Sequence, residues 1–123
     1  MSYFISAEAE FSSAHHLRDY PGKCASLHGH NWKVRLTVRT DSLDERGMGL
    51  DFGALKRILA ALVARFDHVD LNRVPPFDQI NPTAENLART VFELAAAELP
   101  QGIAPDRVEL WESEKNRVEY RAE

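Results

Sequence analysis

Two histidines separated by a single glycine introduce the most regular alternating run of the chain. His28, Gly29 and His30 lead into residues 32–38, in which apolar and polar side chains alternate. Such alternation is typical of a strand with one buried face. Side chains two positions apart share a face, so both imidazoles lie on the side of the apolar row and can reach one metal ion. A purely structural role in a polar cluster is the alternative for an isolated pair of this kind.

A third histidine is placed by the same reasoning. Residues 3–15 alternate over their whole length, and His15 falls on the apolar side of that run, whereas His16 falls on the other side or in the turn. A Pro-Gly turn signal at residues 21–22 lets the chain reverse. His15 can therefore meet the other two histidines if the first two strands pair as neighbours.

Three imidazoles in one place favour zinc. Imidazole nitrogen is a preferred zinc ligand, and three protein ligands leave the fourth position free for water or substrate. Structural zinc is usually closed by four protein ligands, so an open position is the mark of a catalytic site. We therefore predict a catalytic Zn²⁺ held by His15, His28 and His30.

Two candidate proton-transfer groups lie elsewhere in the sequence. Cys24 is the only cysteine. A lone cysteine is commonly a small buried hydrophobic residue. In the functional alternative, a nearby cation would lower the pKa of its thiol and give a reactive thiolate. Asp67-His68 pairs a carboxylate with an imidazole at a predicted helix end. Most such pairs are surface caps; in the functional alternative His68 carries the proton and Asp67 orients it.

Glu112 falls on the apolar face of a predicted strand, in line with Val108 and Leu110. A carboxylate in that position needs a partner. An Arg or Lys is the simpler one. The alternative is a ligand with paired N–H groups, such as an amino-pyrimidinone edge, which a carboxylate binds through both oxygens.

Helix signals follow the second strand. Asp51 is a predicted N-cap, and the helix after it should end near Phe66; Thr83 caps a second helix, which Pro100 and Gly102 end. The apolar positions are Phe52, Leu55, Ile58, Leu62 and Phe66 in the first helix, and Leu87, Val91, Leu94 and Ala95 in the second. Two short strands follow, so we predict an α+β fold, with a four-stranded antiparallel sheet and both helices on one face. Such a sheet leaves two edges that other subunits can close.

Composition excludes several classes of protein. The chain has 123 residues, a formal net charge of −4 and no basic run, which argues against nucleic acid or an anionic membrane as partner. It has no long apolar stretch and no signal-peptide pattern, and one cysteine cannot form an internal disulfide. We therefore expect one domain over residues 1–123, located in the cytoplasm.

Six short motifs, in this order, are those of a known family: Phe11-Ser12-Ser13-Ala14-His15, Cys24-x-x-x-His28-Gly29-His30, Leu50-Asp51-Phe52, Asp67-His68-x-x-Leu71-Asn72, Asn81-Pro82-Thr83-x-Glu85, and Glu112. Over nearly its whole length the chain resembles the 6-pyruvoyl-tetrahydropterin synthase / 6-carboxy-tetrahydropterin synthase family. The resemblance implies the tunnelling fold (T-fold) and a homohexamer, a pair of trimers whose sheets join into a barrel. Active sites would then lie between subunits.

The same resemblance implies the role of each site residue. Zinc would bind to His15, His28 and His30, the acid–base groups would be Cys24, Asp67 and His68, and Glu112 would anchor the pterin ring. Three residues between Cys24 and His28 are typical of the bacterial queuosine-pathway branch; the pyruvoyl-forming branch typically has a longer spacer. A folate-precursor branch carries Glu at the position of Cys24.

The expected reaction is therefore the zinc-dependent conversion of 7,8-dihydroneopterin triphosphate to 6-carboxy-5,6,7,8-tetrahydropterin, with loss of acetaldehyde and triphosphate. Two alternatives are the pyruvoyl-forming synthase, which has the same site, and a non-catalytic pterin- or metal-binding protein. The joint presence of Cys24, Asp67 and His68 argues against the second, because binding alone needs none of them.

Overall fold

The sheet consists of four antiparallel strands that lie side by side in chain order. In the computed structural model, which describes residues 1–123, the elements are β1 (Tyr3–His15), β2 (His28–Thr40), α1 (Phe52–Ala64), α2 (Ala84–Glu98), β3 (Ala104–Ser113) and β4 (Asn116–Arg121), with 3-10 turns at Lys23–Ala25 and Leu71–Arg73. The predicted α+β architecture is confirmed. Neither helix is long and apolar enough to cross a lipid bilayer.

The long β1–β2 pair determines where the histidines fall. Its register runs without a shift from Tyr3 opposite Thr40 to His15 opposite His28. The apolar positions of β2 are fully buried, as predicted: Trp32, Val34, Leu36 and Val38. The side chains of His15, His28 and His30 therefore project at the last pairs of the hairpin, on the face that the helices cover.

Both helices begin at the predicted caps. The Asp51 side chain accepts a hydrogen bond from the Ala54 N–H, and the Thr83 hydroxyl accepts one from the Asn86 N–H. The buried stripe of α1 comprises Leu55, Leu59, Leu62 and Val63, and that of α2 includes Leu87, Val91 and Ala95. These side chains cover the apolar face of the sheet and form one core.

Phe52 is among the apolar positions at helical spacing in the first helix but is not buried. Helical spacing places it on the core side of α1, but its ring is 63% exposed. Phe52 is the first residue of the helix and lines a surface cleft beside Tyr3 and Phe4, at the open end of β1. At this end of α1, no other element covers the side of the helix that faces the core elsewhere.

The other face of the sheet is charged. Its centre is Glu109, which is buried between three arginines, with Arg35 Nη1 at 3.4 Å, Arg107 Nε at 3.6 Å and Arg117 Nη1 at 3.6 Å. Arg35 also pairs with Glu8 at 2.7 Å. Several opposite charges therefore compensate one another across neighbouring strands.

Candidate metal centre and adjoining cavity

Three imidazoles converge at the end of the β1–β2 hairpin. His15 and His28 are directly opposite each other in the register, and His30 is opposite Ser13. One ring nitrogen from each of the three histidines lies within 4.8 Å of the others, and the ring centroids are 4.6 to 5.1 Å apart. The structure thus brings together the three histidines that strand parity selects, which is the arrangement that a single metal ion requires.

Backbone carbonyls orient two of these rings. His15 Nδ1 lies 2.8 Å from the carbonyl oxygen of Pro82, and His28 Nδ1 lies 2.7 Å from that of Ser26. A carbonyl can only accept, so each Nδ1 carries the proton and each Nε2 presents a lone pair. Metal-binding histidines are commonly held in this way by a partner on the other ring nitrogen.

The ring nitrogens that no carbonyl holds are suited to binding a cation. His15 Nε2 and His30 Nε2 are buried and make no hydrogen bond, although buried polar atoms are nearly always paired. Burial lowers the pKa of both histidines below the ordinary value for histidine, so near neutral pH they are in the uncharged form that binds metals. Unpaired and uncharged nitrogens that face one another are suited to a zinc ion.

An apolar floor supports the rings. Trp32 is fully buried, and its ring meets the rings of His15 and His30 edge to face, with centroids 5.1 and 5.2 Å away. Phe11 stacks on Trp32, with ring centroids 5.9 Å apart. Close packing of this kind restricts the rotamers of the histidines before any ion binds.

His16 lies outside the three-histidine group, as parity predicts. Its backbone N–H donates to the Asn72 side chain at 2.9 Å, and Asn72 in turn donates to the His16 carbonyl at 3.0 Å. The His16 ring faces the same amide, with Nε2 3.4 Å from Asn72 Nδ2. The side chain therefore lies against the turn at Leu71–Arg73.

Glu112 comes from β3 and faces the histidines. Its Oε2 lies 3.8 Å from His15 Nε2, and its Oε1 lies 3.7 Å from His30 Nε2. No Arg or Lys pairs with it, so the structural ion pair considered from the sequence is absent. Instead, Glu112 lines a cavity of about 330 Å³ together with Thr83, Glu85, Asn81 and Tyr20, which is in the range that accommodates a small organic molecule.

One wall of this cavity depends on a clamp that the sequence analysis missed. Asn81 Oδ1 accepts the Arg18 N–H at 2.8 Å, and Asn81 Nδ2 donates to the Arg18 carbonyl at 3.2 Å. The Arg18 guanidinium donates to the carbonyls of Phe77, Ile80 and Asn72. This clamp ties the segment before α2, including Pro82, to the end of β1. Reciprocal amide bonds need a partner distant in sequence, so no local pattern indicates them.

Cys24 lies in the turn Lys23–Ala25 and is half-buried. Its carbonyl accepts the Leu17 N–H at 2.7 Å, which closes the base of the loop between β1 and β2. The group of potential metal ligands contains the three histidines and not Cys24. The acid–base role of Cys24 stays a prediction.

Asp67 and His68 form a contact pair at the outer edge of β1. Asp67 Oδ1 lies 2.8 Å from His68 Nδ1 and accepts the Ser12 N–H at 2.9 Å. That Ser12 bond is the main reason why the pKa of Asp67 lies below its usual value; His68 contributes less. Backbone bonds from His68 N–H to Ser12 and from the Ala14 N–H to Val69 hold the segment to the strand.

His68 is nevertheless outside the three-histidine group. Its side chain is 81% exposed, and its backbone adopts the left-handed conformation, with φ 57°. The ring therefore extends into solvent from the segment that covers the edge of β1 at Ser12–Ala14. The His68 ring is not one of the potential metal ligands, and its role in proton transfer stays a prediction.

The chain is a small α+β domain whose sheet has one charged face and two helices on the other face. Three convergent histidines beside a cavity form a candidate metal-dependent active site. The family model for 6-pyruvoyl tetrahydropterin synthase matches residues 4–123. The chain belongs to the 6-pyruvoyl tetrahydropterin synthase family.

Individual relatives carry names from more than one branch of this family. A putative 6-carboxy-5,6,7,8-tetrahydropterin synthase of Archaeoglobus fulgidus is 37% identical over 95% of this chain and 94% of its own. The 6-pyruvoyl tetrahydrobiopterin synthase of Poecilia reticulata is 32% identical over 98% and 90%. The solved 6-pyruvoyl tetrahydropterin synthase of Caenorhabditis elegans superposes with a TM-score of 0.87 at 25% identity, over 100% of this chain and 97% of that one. The tunnelling fold is thereby confirmed, whereas its closure into a barrel stays a prediction.

Proposed function

We propose that this protein is a zinc-dependent 6-carboxy-5,6,7,8-tetrahydropterin synthase, a lyase of queuosine biosynthesis that acts in the cytoplasm. It would convert 7,8-dihydroneopterin triphosphate to 6-carboxy-5,6,7,8-tetrahydropterin and release acetaldehyde and triphosphate. The observation that carries the proposal is the convergence of His15, His28 and His30 beside the cavity that Glu112 lines.

The three Nε2 atoms would hold the metal. Zinc bound there would polarise the oxygens of the substrate side chain and make the adjacent C–H and O–H groups more acidic. The carbonyls of Pro82 and Ser26 keep two of the rings in the required tautomer. Trp32 excludes water from beneath the site.

Glu112 would anchor the pterin ring. An ionised carboxylate accepts two parallel N–H bonds, which matches the paired donors of an amino-pyrimidinone. Its lack of an Arg or Lys partner leaves both oxygens available, and a ring bound to it in the cavity would lie next to the histidines. Such positioning contributes to rate by holding the reacting carbons in place.

Cys24 and His68 would move the protons. A thiolate and an imidazole on opposite sides of the substrate's side chain can remove and return protons at its neighbouring carbons. Asp67 would keep His68 in one tautomer through the 2.8 Å contact. Because the His68 side chain is exposed, we propose that it serves the site of a neighbouring subunit in a homohexamer, a dimer of trimers.

The three-residue spacer between Cys24 and His28 favours the carboxy product over the pyruvoyl product. Mass spectrometry after incubation of the zinc-loaded protein with 7,8-dihydroneopterin triphosphate tests this directly. We expect 6-carboxy-5,6,7,8-tetrahydropterin and acetaldehyde. Accumulation of 6-pyruvoyl-tetrahydropterin without acetaldehyde would instead support the second candidate, the activity named for the Poecilia reticulata relative. Pterin binding without turnover would indicate a non-catalytic protein.

A further inference from the structure

Tyr20 is an aromatic residue whose position the packing of the core does not explain. It is 50% exposed, and it belongs neither to the core nor to the partly buried apolar side chains packed against the core. Instead, it lines the cavity that Glu112 and Thr83 also line, and it is the only aromatic residue there. The cavity wall therefore carries an aromatic ring that contributes nothing to the core.

The loop that carries Tyr20 has a defined shape. Its base is closed by the Leu17 N–H, which donates to the Cys24 carbonyl at 2.7 Å, and the reciprocal amide clamp fixes its start. Asp19 and Gly22, on either side of Tyr20, have positive φ angles of 56° and 102°. Aspartate and glycine tolerate such backbone conformations. Since the loop is already ordered, Tyr20 can contact a ligand with little entropic cost.

The other walls of the cavity leave one requirement of a bound ring unmet. An amino-pyrimidinone edge held by Glu112 forms its hydrogen bonds in the plane of the ring, so the two apolar faces of the ring still need contacts. Leu17, Ala84 and Val118 supply aliphatic surface in the cavity. Aromatic rings prefer to pack on one another in offset stacks, which contribute more than the area they bury. Tyr20 is the only cavity residue that can form such a stack.

We propose that Tyr20 stacks on the face of the pterin ring while Glu112 holds its edge. This inference rests on the proposed function, because that function supplies the ring. The two contacts act in different directions: the carboxylate prevents the ring from sliding in its own plane, and the tyrosine prevents it from tilting. Together they would orient the substrate side chain toward the three histidines. Tyr20 would thereby favour flat heterocycles over other ligands that carry paired N–H groups.

Binding of unsubstituted pterin to the zinc-loaded protein, followed by the fluorescence of the pterin, tests the stack without any need for turnover. Tyr20→Ala should lower pterin affinity roughly ten- to a hundredfold, the scale of a stack between a base and an aromatic side chain. Tyr20→Phe should keep the affinity near that of the wild type, because the ring and not the hydroxyl makes the contact. Tyr3→Ala is the matched control, since Tyr3 is also exposed but lines the cleft beside Phe52. All variants should retain zinc.

Tyr20→Trp adds a readout that a purely structural role would not change. A tryptophan ring in contact with the bound pterin should quench its fluorescence more strongly than the ring of Tyr20→Phe does. Equal pterin affinity of Tyr20→Ala and wild type would overturn the stack and leave the ring anchor standing. A comparable loss of affinity in Tyr20→Phe, or loss of zinc from Tyr20→Ala, would also overturn the stack. If the wild type itself does not bind pterin, both this proposal and the proposed function fail.

Discussion

The buried ring of His15 is tied to the residue that precedes the cap of α2: its Nδ1 donates to the Pro82 carbonyl across 2.8 Å. One candidate metal ligand is therefore oriented by a segment 67 positions away in sequence. The orientation of that segment depends in turn on the Arg18–Asn81 clamp. Metal affinity and the local stability of residues 72–82 should consequently be linked.

Replacement of Asn81 by Ala tests this link. The change leaves the Arg18 backbone groups without their partners and should lower the free energy of unfolding by about 1–3 kcal/mol. Zinc affinity should also fall, by roughly tenfold, because Pro82 is no longer held beside His15. Urea unfolding and competitive zinc titration measure the two effects. Asn116→Ala is the matched control, since Asn116 lines the same cavity but makes only a long 3.4 Å bond to Ser113. Equal behaviour of both variants would show that the clamp does not support the site.

Loss of one histidine ligand should remove most of the metal. His28→Ala or His30→Ala leaves two imidazoles, which form a poor site, so zinc content measured by elemental analysis should fall to a small fraction of the wild-type value. His16→Ala is the control, because the His16 ring lies against Asn72 rather than in the group. Comparable zinc loss in the His16 variant would contradict the ligand assignment.

Cys24→Ala separates binding from chemistry. The variant should retain zinc and pterin binding, because Cys24 is not in the histidine group. Turnover should fall at least roughly a hundredfold, the usual scale for the loss of an acid–base group. Steady-state kinetics with parallel zinc and pterin titrations provide the measurement, and Ser26→Ala, in the same loop, controls for a change in its conformation. Unchanged turnover would make Cys24 a packing residue.

A mixture of two inactive variants reveals whether the site is shared. His30→Ala lacks a metal ligand and His68→Ala lacks the proposed proton carrier, so each should be inactive alone. If His68 serves a neighbouring subunit, a 1:1 mixture refolded together should contain complete sites in roughly a quarter of positions and regain activity in that proportion. Each variant refolded alone is the control. A mixture as inactive as its components would place both groups in one chain's own site.

Strand parity was sufficient to bring the three histidines together, because the register of a long antiparallel hairpin is set by its buried face. The caps of both helices, at Asp51 and Thr83, were predictable for a similar reason: the hydrogen bond of a cap is local. The buried rows of β1 and β2 follow from the same alternation. What could be predicted thus depends on contacts within one hairpin or one helical turn.

Contacts between distant segments could not be predicted in this way. Glu109 is an ordinary charged position in the alternating pattern, yet it is buried, since strands on both sides of it contribute arginines. The amide bonds of Asn72 and Asn81 likewise depend on how the loops meet. Parity placed Glu112 on the correct face, but its proximity to His15 and His30 depends on the pairing of β3 with β2.

Because the backbone of His68 is left-handed, a substitution at this position can increase thermal stability and at the same time remove a group proposed for catalysis. Residues other than glycine pay about 1–2 kcal/mol for this conformation, so glycine at position 68 would relieve the strain that alanine retains. Part of that gain is offset by the greater freedom of glycine in the unfolded chain. Both replacements remove the imidazole and, with it, the proposed proton transfer. Variants selected for heat resistance alone should therefore tend to carry glycine at this position, whereas variants selected for turnover should keep histidine.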